Sequence, residues 1–362
     1  MPQRRSVTTA GGTRRLRPVL SAIVVAALFW WFFRGVGFDD LIAEIRRARA
    51  PYVAGAVAVS MSGFLFRIAR WRYLLAPVIW TRVRSLAEAV FVGWAVTAIL
   101  PGRVGEVARA VLLRQREPVR ASAALGTIVL ERLLDVLALL ILVAASLGFV
   151  PAAAIGAEHA SLLAAIRSGA LVVFGALVAV AAFTVLMHHV PPAATAMLRR
   201  WAGRLPGVLG DAAWGMVAAF GEGLSGAVRG AAGTGVTPAR LRVALTLHTV
   251  ALWTVICAVH VLLLRAFRID ASIFSVPPLL FLITLGLAVP VPAALGSYHK
   301  AVQLGLTAIL GVSNETAAGY AVVSHAVTMG PPTIIGLVLL ARGDLTLATL
   351  TSSPAASRAP AE

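Results

Sequence analysis

Residues 85–113 read SLAEAVFVGWAVTAILPGRVGEVARAVLL. Ser85–Leu100 is almost wholly apolar and stops at Pro101-Gly102. A second helical stretch, Val104–Leu113, follows at once. Proline and glycine do not continue a helix comfortably. A spanning helix needs roughly 20 apolar residues, and neither piece reaches that length. The pair therefore reads as a re-entrant helical hairpin that enters and leaves on one side. Backbone freed at membrane depth must be buried in protein or line a wet cavity. Ser275–Ala288, the break at Pro290-Val291-Pro292 and Gly296–Leu310 repeat the pattern, so a second hairpin is expected there.

Composition supplies the membrane that this reading needs. Of 362 residues, 59% are apolar and only 13% charged, with a mean hydropathy of +0.88. Such a chain cannot hide its apolar surface as a soluble globule, and it is too apolar for disorder. The net charge is +17, and every basic residue except Lys300 is arginine. These arginines fall between apolar runs, where they meet lipid phosphates, so no nucleic-acid partner is expected. The single cysteine, Cys257, excludes an internal disulfide framework. The basic N-terminus precedes an apolar run without a small-residue cleavage signature, which reads as a retained anchor.

Six full spans are expected: Leu16–Phe33, Pro51–Phe66 extended to Trp71, Ala121–Val150, Leu162–Met187, Arg242–Leu264 and Glu315–Leu340. With the N-terminus inside, the inner segments carry 20 arginines and lysines and the outer segments 6. The positive-inside rule demands such an asymmetry. Counting either hairpin as a crossing would destroy it. The expected fold is thus all-α, a polytopic bundle of about six spans plus two re-entrant hairpins, with both termini cytoplasmic in a bacterial-type inner membrane. The domains are a basic N-terminus (1–17), one membrane domain (18–346) and a disordered tail (347–362). Within the membrane domain, 191–240 reads as amphipathic helices on the inner leaflet, and Phe38–Arg49 as a similar piece outside.

Three clusters carry the candidate chemistry. In Pro101-Gly-Arg103-Val-Gly-Glu106-Val-Ala-Arg109 the charges recur every third residue and share a broad helix face. A helix start at Gly102 would also aim backbone N–H groups at an anion. The plain alternative is a helix end with solvated arginines. Glu131-Arg132-Leu-Leu-Asp135 lies about ten residues into the third span, near mid-depth at 1.5 Å per residue. Each ionised group there costs roughly 2.5–3.5 kcal/mol on insertion scales. Partners are required, and Arg103, Glu106 and Arg109 are the obvious ones. An ion-pair cluster that only fixes packing would satisfy the same need. Third, Tyr298-His299-Lys300 follows the second break, with His325 downstream. His299 and His325 are 26 residues apart, as are Glu106 and Arg132, which suggests an inverted repeat. Two histidines without a third ligand make a poor metal site, so no metal and no cofactor is expected. No Gly-x-x-x-x-Gly-Lys-[Ser/Thr] string supports ATP use.

The Pro101–Arg109 motif, Glu131–Asp135 and the break at 290–296 resemble the flippase-like family, also called the lysylphosphatidylglycerol synthase transmembrane-region family. The likeness runs from about 18 to 341. It implies an integral membrane protein that moves or presents a lipid or lipid-linked head group. In the family's large member, a separate soluble domain makes the aminoacylated phospholipid that the membrane part translocates; no such domain is expected in this chain. The sequence departs from the family at the second break. Pro292-Ala293-Ala294-Leu295-Gly296 stands for Pro-Gly-Gly-x-Gly, and His299 stands for a glutamate. His325 stands for an arginine seven residues before Pro332.

The leading functional expectation is a non-enzymatic translocase for an anionic membrane lipid. Arg103, Arg109 and Arg132 would contact phosphate, while Glu106, Glu131 and Asp135 would orient those arginines or exchange protons. His299 and His325 would allow a proton-coupled step. Tyr298 and Lys300 complete the candidate set. The alternatives are an intramembrane transferase acting on a lipid-linked donor, with Glu131 and Asp135 as base and metal anchor, and a non-transporting scaffold. An assembly of several copies is compatible with the sequence.

Overall fold

The computed structural model describes residues 23, 26–34, 36–100, 104–147 and 235–342, with a few isolated positions between 164 and 175. The described residues are helical and contain no strand. Residues 26–33 are helical. Nine α-helices follow among the described residues: α1 (Phe38–Arg47), α2 (Ala50–Leu75), α3 (Val83–Ile99), α4 (Val104–Arg116), α5 (Ala121–Leu147), α6 (Pro238–Ala266), α7 (Val276–Ala288), α8 (Ser297–Leu310) and α9 (Asn314–Arg342). Three of them, α2, α6 and α9, are long and apolar enough to cross a membrane. At 1.5 Å per residue they measure about 39–44 Å. Helix α5 has 27 residues but carries Glu131, Arg132 and Asp135. The expected span Leu162–Met187 falls almost wholly outside the described residues, as do most of 191–240 and the tail.

Local chemistry sets the boundaries. Helix α6 starts four residues earlier than expected, because Thr237 caps it and Pro238 occupies the first position. The Thr237 hydroxyl accepts from the Arg240 backbone N–H at 3.2 Å. Helix α8 ends at Gly311, whose φ of 62° is open to glycine at little cost. At the base of α3 and α4, Arg82 Nε donates to Glu117 Oε1 at 2.9 Å. Burial would raise the Glu117 carboxyl pKa; hydrogen bonds from Ser85 and Arg82 outweigh it and hold the group below the usual range.

Helices α2 and α6 form an antiparallel pair. The Arg49 N–H bonds the Ala266 carbonyl at one end, and Arg70 reaches Thr249 toward the other. The helical hairpin α3–α4 begins beside the C-terminal end of α2, and α7–α8 begins beside that of α6, so the two enter from opposite ends of the pair. Each hairpin closes at a glycine. A Cβ on Gly93 would lie 2.8 Å from the Gly105 carbonyl, and one on Gly286 would lie 2.7 Å from the Ser297 carbonyl. The chain then crosses over. Hairpin α3–α4 packs against α9, where a Cβ on Gly336 would collide with the Phe91 carbonyl. Helix α7 packs against α5 through Phe281, Ile283, Leu139 and Val143.

The two halves share one register. Val83 and Val276, Val104 and Ser297, and Ala121 and Asn314 open corresponding helices, each pair 193 residues apart. Gly93 and Gly286 keep the same offset of 193.

Candidate functional site

Helices α2, α4 and α5 bring seven charged side chains together. Glu131 is the hub, at 0% exposure. Its carboxylate meets Arg109 at 2.8 Å, Arg132 at 3.1 Å, Arg67 at 3.3 Å and Arg70 at 3.5 Å. Arg132 also reaches Glu106 at 3.2 Å and Asp135 at 3.3 Å, so the expected pairing of Arg132 holds on both sides. Arg70 lies 2.7 Å from Asp135 Oδ1, but no donor is aligned on that oxygen, so the contact is ionic rather than a well-formed hydrogen bond. Aromatic faces complete the cage. The Arg109 guanidinium lies 3.7 Å from the Trp71 ring centroid, and Trp71 Nε1 donates to Thr127 at 3.0 Å. Arg67 lies 5.3 Å from the Trp94 centroid.

Arg67 and Arg70 escaped the sequence reading. Arg70 lies at the end of the second expected span, next to Trp71, and the structure buries it completely, at 0% exposure. The available signal was their i,i+3 spacing within an apolar helix, which places both on the face that meets Glu131 and Asp135. Arg103 lies outside the described residues.

A cleft of about 150 Å³ opens on this cluster. Gly105, Glu106, Arg109 and Arg132 line one side, and Val289–Val291, Ala293 and Ala294 the other. The first turn of α4 and the second break therefore face one another across the cleft, which Arg132 also lines. A larger groove of about 300 Å³ adjoins it between α2, α5, α6 and α7, and includes Asp135 and Tyr298. Glu131 lines neither; it sits behind the arginines and holds them.

The histidines sit elsewhere than expected. His299 and His325 are together, with ring centroids 4.7 Å apart, but they line neither space. They brace the second break from behind. His325 Nε2 pairs with the Ala293 carbonyl at 2.8 Å, and the Gly296 N–H donates to His299 Nδ1 at 3.4 Å. Phe29 and Phe32 cover His299. Lys300 turns away altogether: Nζ donates to Gln303 at 2.8 Å and stands over Trp31. It is one residue past His299, hence about 100° around the helix. Tyr298 donates to Ser324 at 3.0 Å.

The common register makes this arrangement intelligible. Glu106 and Arg132 correspond, at the 193-residue offset, to His299 and His325. An ion pair in one half is matched by a ring pair in the other. The break itself carries a cost. Ala293 and Ala294 have φ of 49° and 52°, where the family pattern has two glycines. Left-handed backbone costs a non-glycine residue roughly 1–2 kcal/mol.

Counted as ionised, the cluster holds four arginines against three carboxylates among the described residues, a surplus of one positive charge. Its wall toward the cleft carries Arg67, Arg109 and Arg132. Guanidinium groups so placed are suited to an anion of phosphate type. No group of three or more metal-ligating side chains occurs among the described residues. A family model described as the lysylphosphatidylglycerol synthase TM region matches residues 19–336. No curated protein and no solved structure matches the chain.

Proposed function

The chain belongs to the lysylphosphatidylglycerol synthase TM-region family, and from that premise we propose that it is a translocase for a membrane lipid with an anionic head group. One observation carries the reading: a surplus of arginine charge faces a cleft between the first turn of α4 and the second helix break, whose hairpins begin at opposite ends of the α2–α6 pair. Charge at membrane depth is costly and marks substrate pathways. Paired breaks near the midplane are the usual construction of a transport site. The two halves are then an inverted repeat, with α3–α4 and α7–α8 as re-entrant hairpins. Arg132 and Arg109 hold the phosphate, with Arg67 beside them. Glu131, Glu106 and Asp135 keep the guanidinium groups aimed. The lipid moves without any bond being made or broken.

Proteoliposomes containing fluorescent phosphatidylglycerol give the direct test. The wild-type chain should expose inner-leaflet label to a membrane-impermeant quencher, and phosphatidylcholine label should stay protected. Arg132→Ala should slow the phosphatidylglycerol signal roughly tenfold or more, the value of a lost hydrogen bond to a charged group. Equal movement of both lipids, or none, would remove the proposal.

The orientation has its own test. In a Cys257→Ala background, Ser313→Cys, between α8 and α9, should react with impermeant maleimide in intact cells. Ala239→Cys, at the start of α6, should not. The opposite pattern would place the termini outside.

A further inference from the structure

The groove beside the charged cleft lacks an assigned occupant. Arg67, Trp94, Arg132, Leu287 and Met329 line both spaces, so they are continuous. Beyond these shared residues the groove is mostly apolar, with Gly63, Phe64, Leu139, Trp253, Ile256 and Ile283 among its walls. Two indoles stand out: Trp94, which the groove shares with the cleft, and Trp253 deeper in it, each with a buried Nε1–H that has no hydrogen-bond partner among the described residues. Trp253 is 8% exposed. Buried indole N–H groups ordinarily find an acceptor.

The antiparallel register locates the Trp253 donor. Gly63 faces Leu252 and Val255, so Trp253 lies level with Phe64. Three residues separate Phe64 from Arg67, or about 4.5 Å along the axis. The groove continues to Ser60 on α2, roughly 10 Å from Arg67. A phospholipid has this order of parts: a phosphate, an ester carbonyl a few ångströms on, then a hydrocarbon chain. We infer that the groove holds an acyl chain of the lipid whose phosphate occupies the cleft, with Trp253 Nε1–H donating to the ester carbonyl. The inference rests on the translocase reading and narrows it. The cargo is a lipid bound by head and tail together, so the protein extracts one chain from the bilayer before the head group crosses.

The experiment uses phosphatidylglycerol with a photoactivatable diazirine midway along one acyl chain, at trace level in phosphatidylcholine nanodiscs holding the full chain. After irradiation, adducts are mapped by peptide mass spectrometry. Adducts should concentrate on Leu139, Ile256 and Ile283. The outward residues Leu65, Leu247 and Val250 should label no more than with a matching phosphatidylcholine probe. Ile256→Trp fills the groove and should abolish the inner adducts while leaving the outer ones. A diether probe of equal chain length should give roughly threefold fewer inner adducts than the diester, a typical value for one hydrogen bond. Trp253→Phe should erase that difference. Adducts confined to the outward residues, or equal inner labelling by both head groups, would overturn the inference. Inner adducts without lipid movement in proteoliposomes would keep the groove and discard the translocase; movement without inner adducts would do the reverse.

Discussion

Glu131→Gln should destabilise the purified protein by roughly 3–5 kcal/mol, the usual cost of stranding buried charge. Glu131 is fully buried and meets four arginines. The amide retains the shape and one acceptor oxygen but removes the only charge that all four share. Arg67, Arg70 and Arg109 are themselves buried or nearly so, with side-chain exposures of 12%, 0% and 6%, and cannot turn to water. Glu106→Gln provides the contrast. Glu106 is 30% exposed beside Arg132, which is 32% exposed, so its loss should cost about 1 kcal/mol or less. Thermal melting of the three proteins in detergent measures both effects. Equal melting temperatures for wild type and Glu131→Gln would show that something other than Glu131 compensates the arginines.

Gly105→Ala should abolish lipid movement while leaving the protein in the membrane. Its Cβ would collide with the Gly93 carbonyl and with Thr97 Oγ1. The first obstacle is backbone, so no rotamer change relieves it. Forced separation of α3 and α4 costs about 1–3 kcal/mol as overpacking. The functional loss is larger, because Gly105 adjoins Glu106 and α4 carries Arg109 into the cleft. Gly330→Ala is the control: it lies in α9 with open space around it, and alanine there should be neutral or slightly stabilising. Transport and melting together decide the matter. Undiminished transport by Gly105→Ala would mean that the close crossing of α3 and α4 is not required.

The broken helices and the Glu131–Asp135 cluster were legible in the sequence because each violates a strong rule. Proline and glycine end a helix, and charge does not enter hydrocarbon without partners. The matching separations of Glu106–Arg132 and His299–His325 agree with the 193-residue register of the helix starts. Arg67 and Arg70 were less legible. An arginine near the inner end of a span is ordinarily read as a surface anchor; their burial depends on α5 arriving alongside. The second cavity was not legible at all, since it arises from the register of α2 against α6. The histidines illustrate the converse limit. Their 26-residue spacing was read from the sequence, but their contact and their place behind the break, with Phe29 and Phe32 packing over His299, were not.

The crossed packing of the hairpins has a consequence for biosynthesis. The wall against which α3 rests is α9, the last helix described in the chain. As the polypeptide emerges, the first hairpin is made with its arginines and carboxylates already present, yet its neighbour is still untranslated. Until α9 inserts, the charges of α2 and α4 can pair only with those of α5, chiefly with Glu131. Glu131 is made in the same half as its four arginines, so their compensation does not wait for α9. Expressed as two separate polypeptides, the halves would each lack a wall and would survive only when made together.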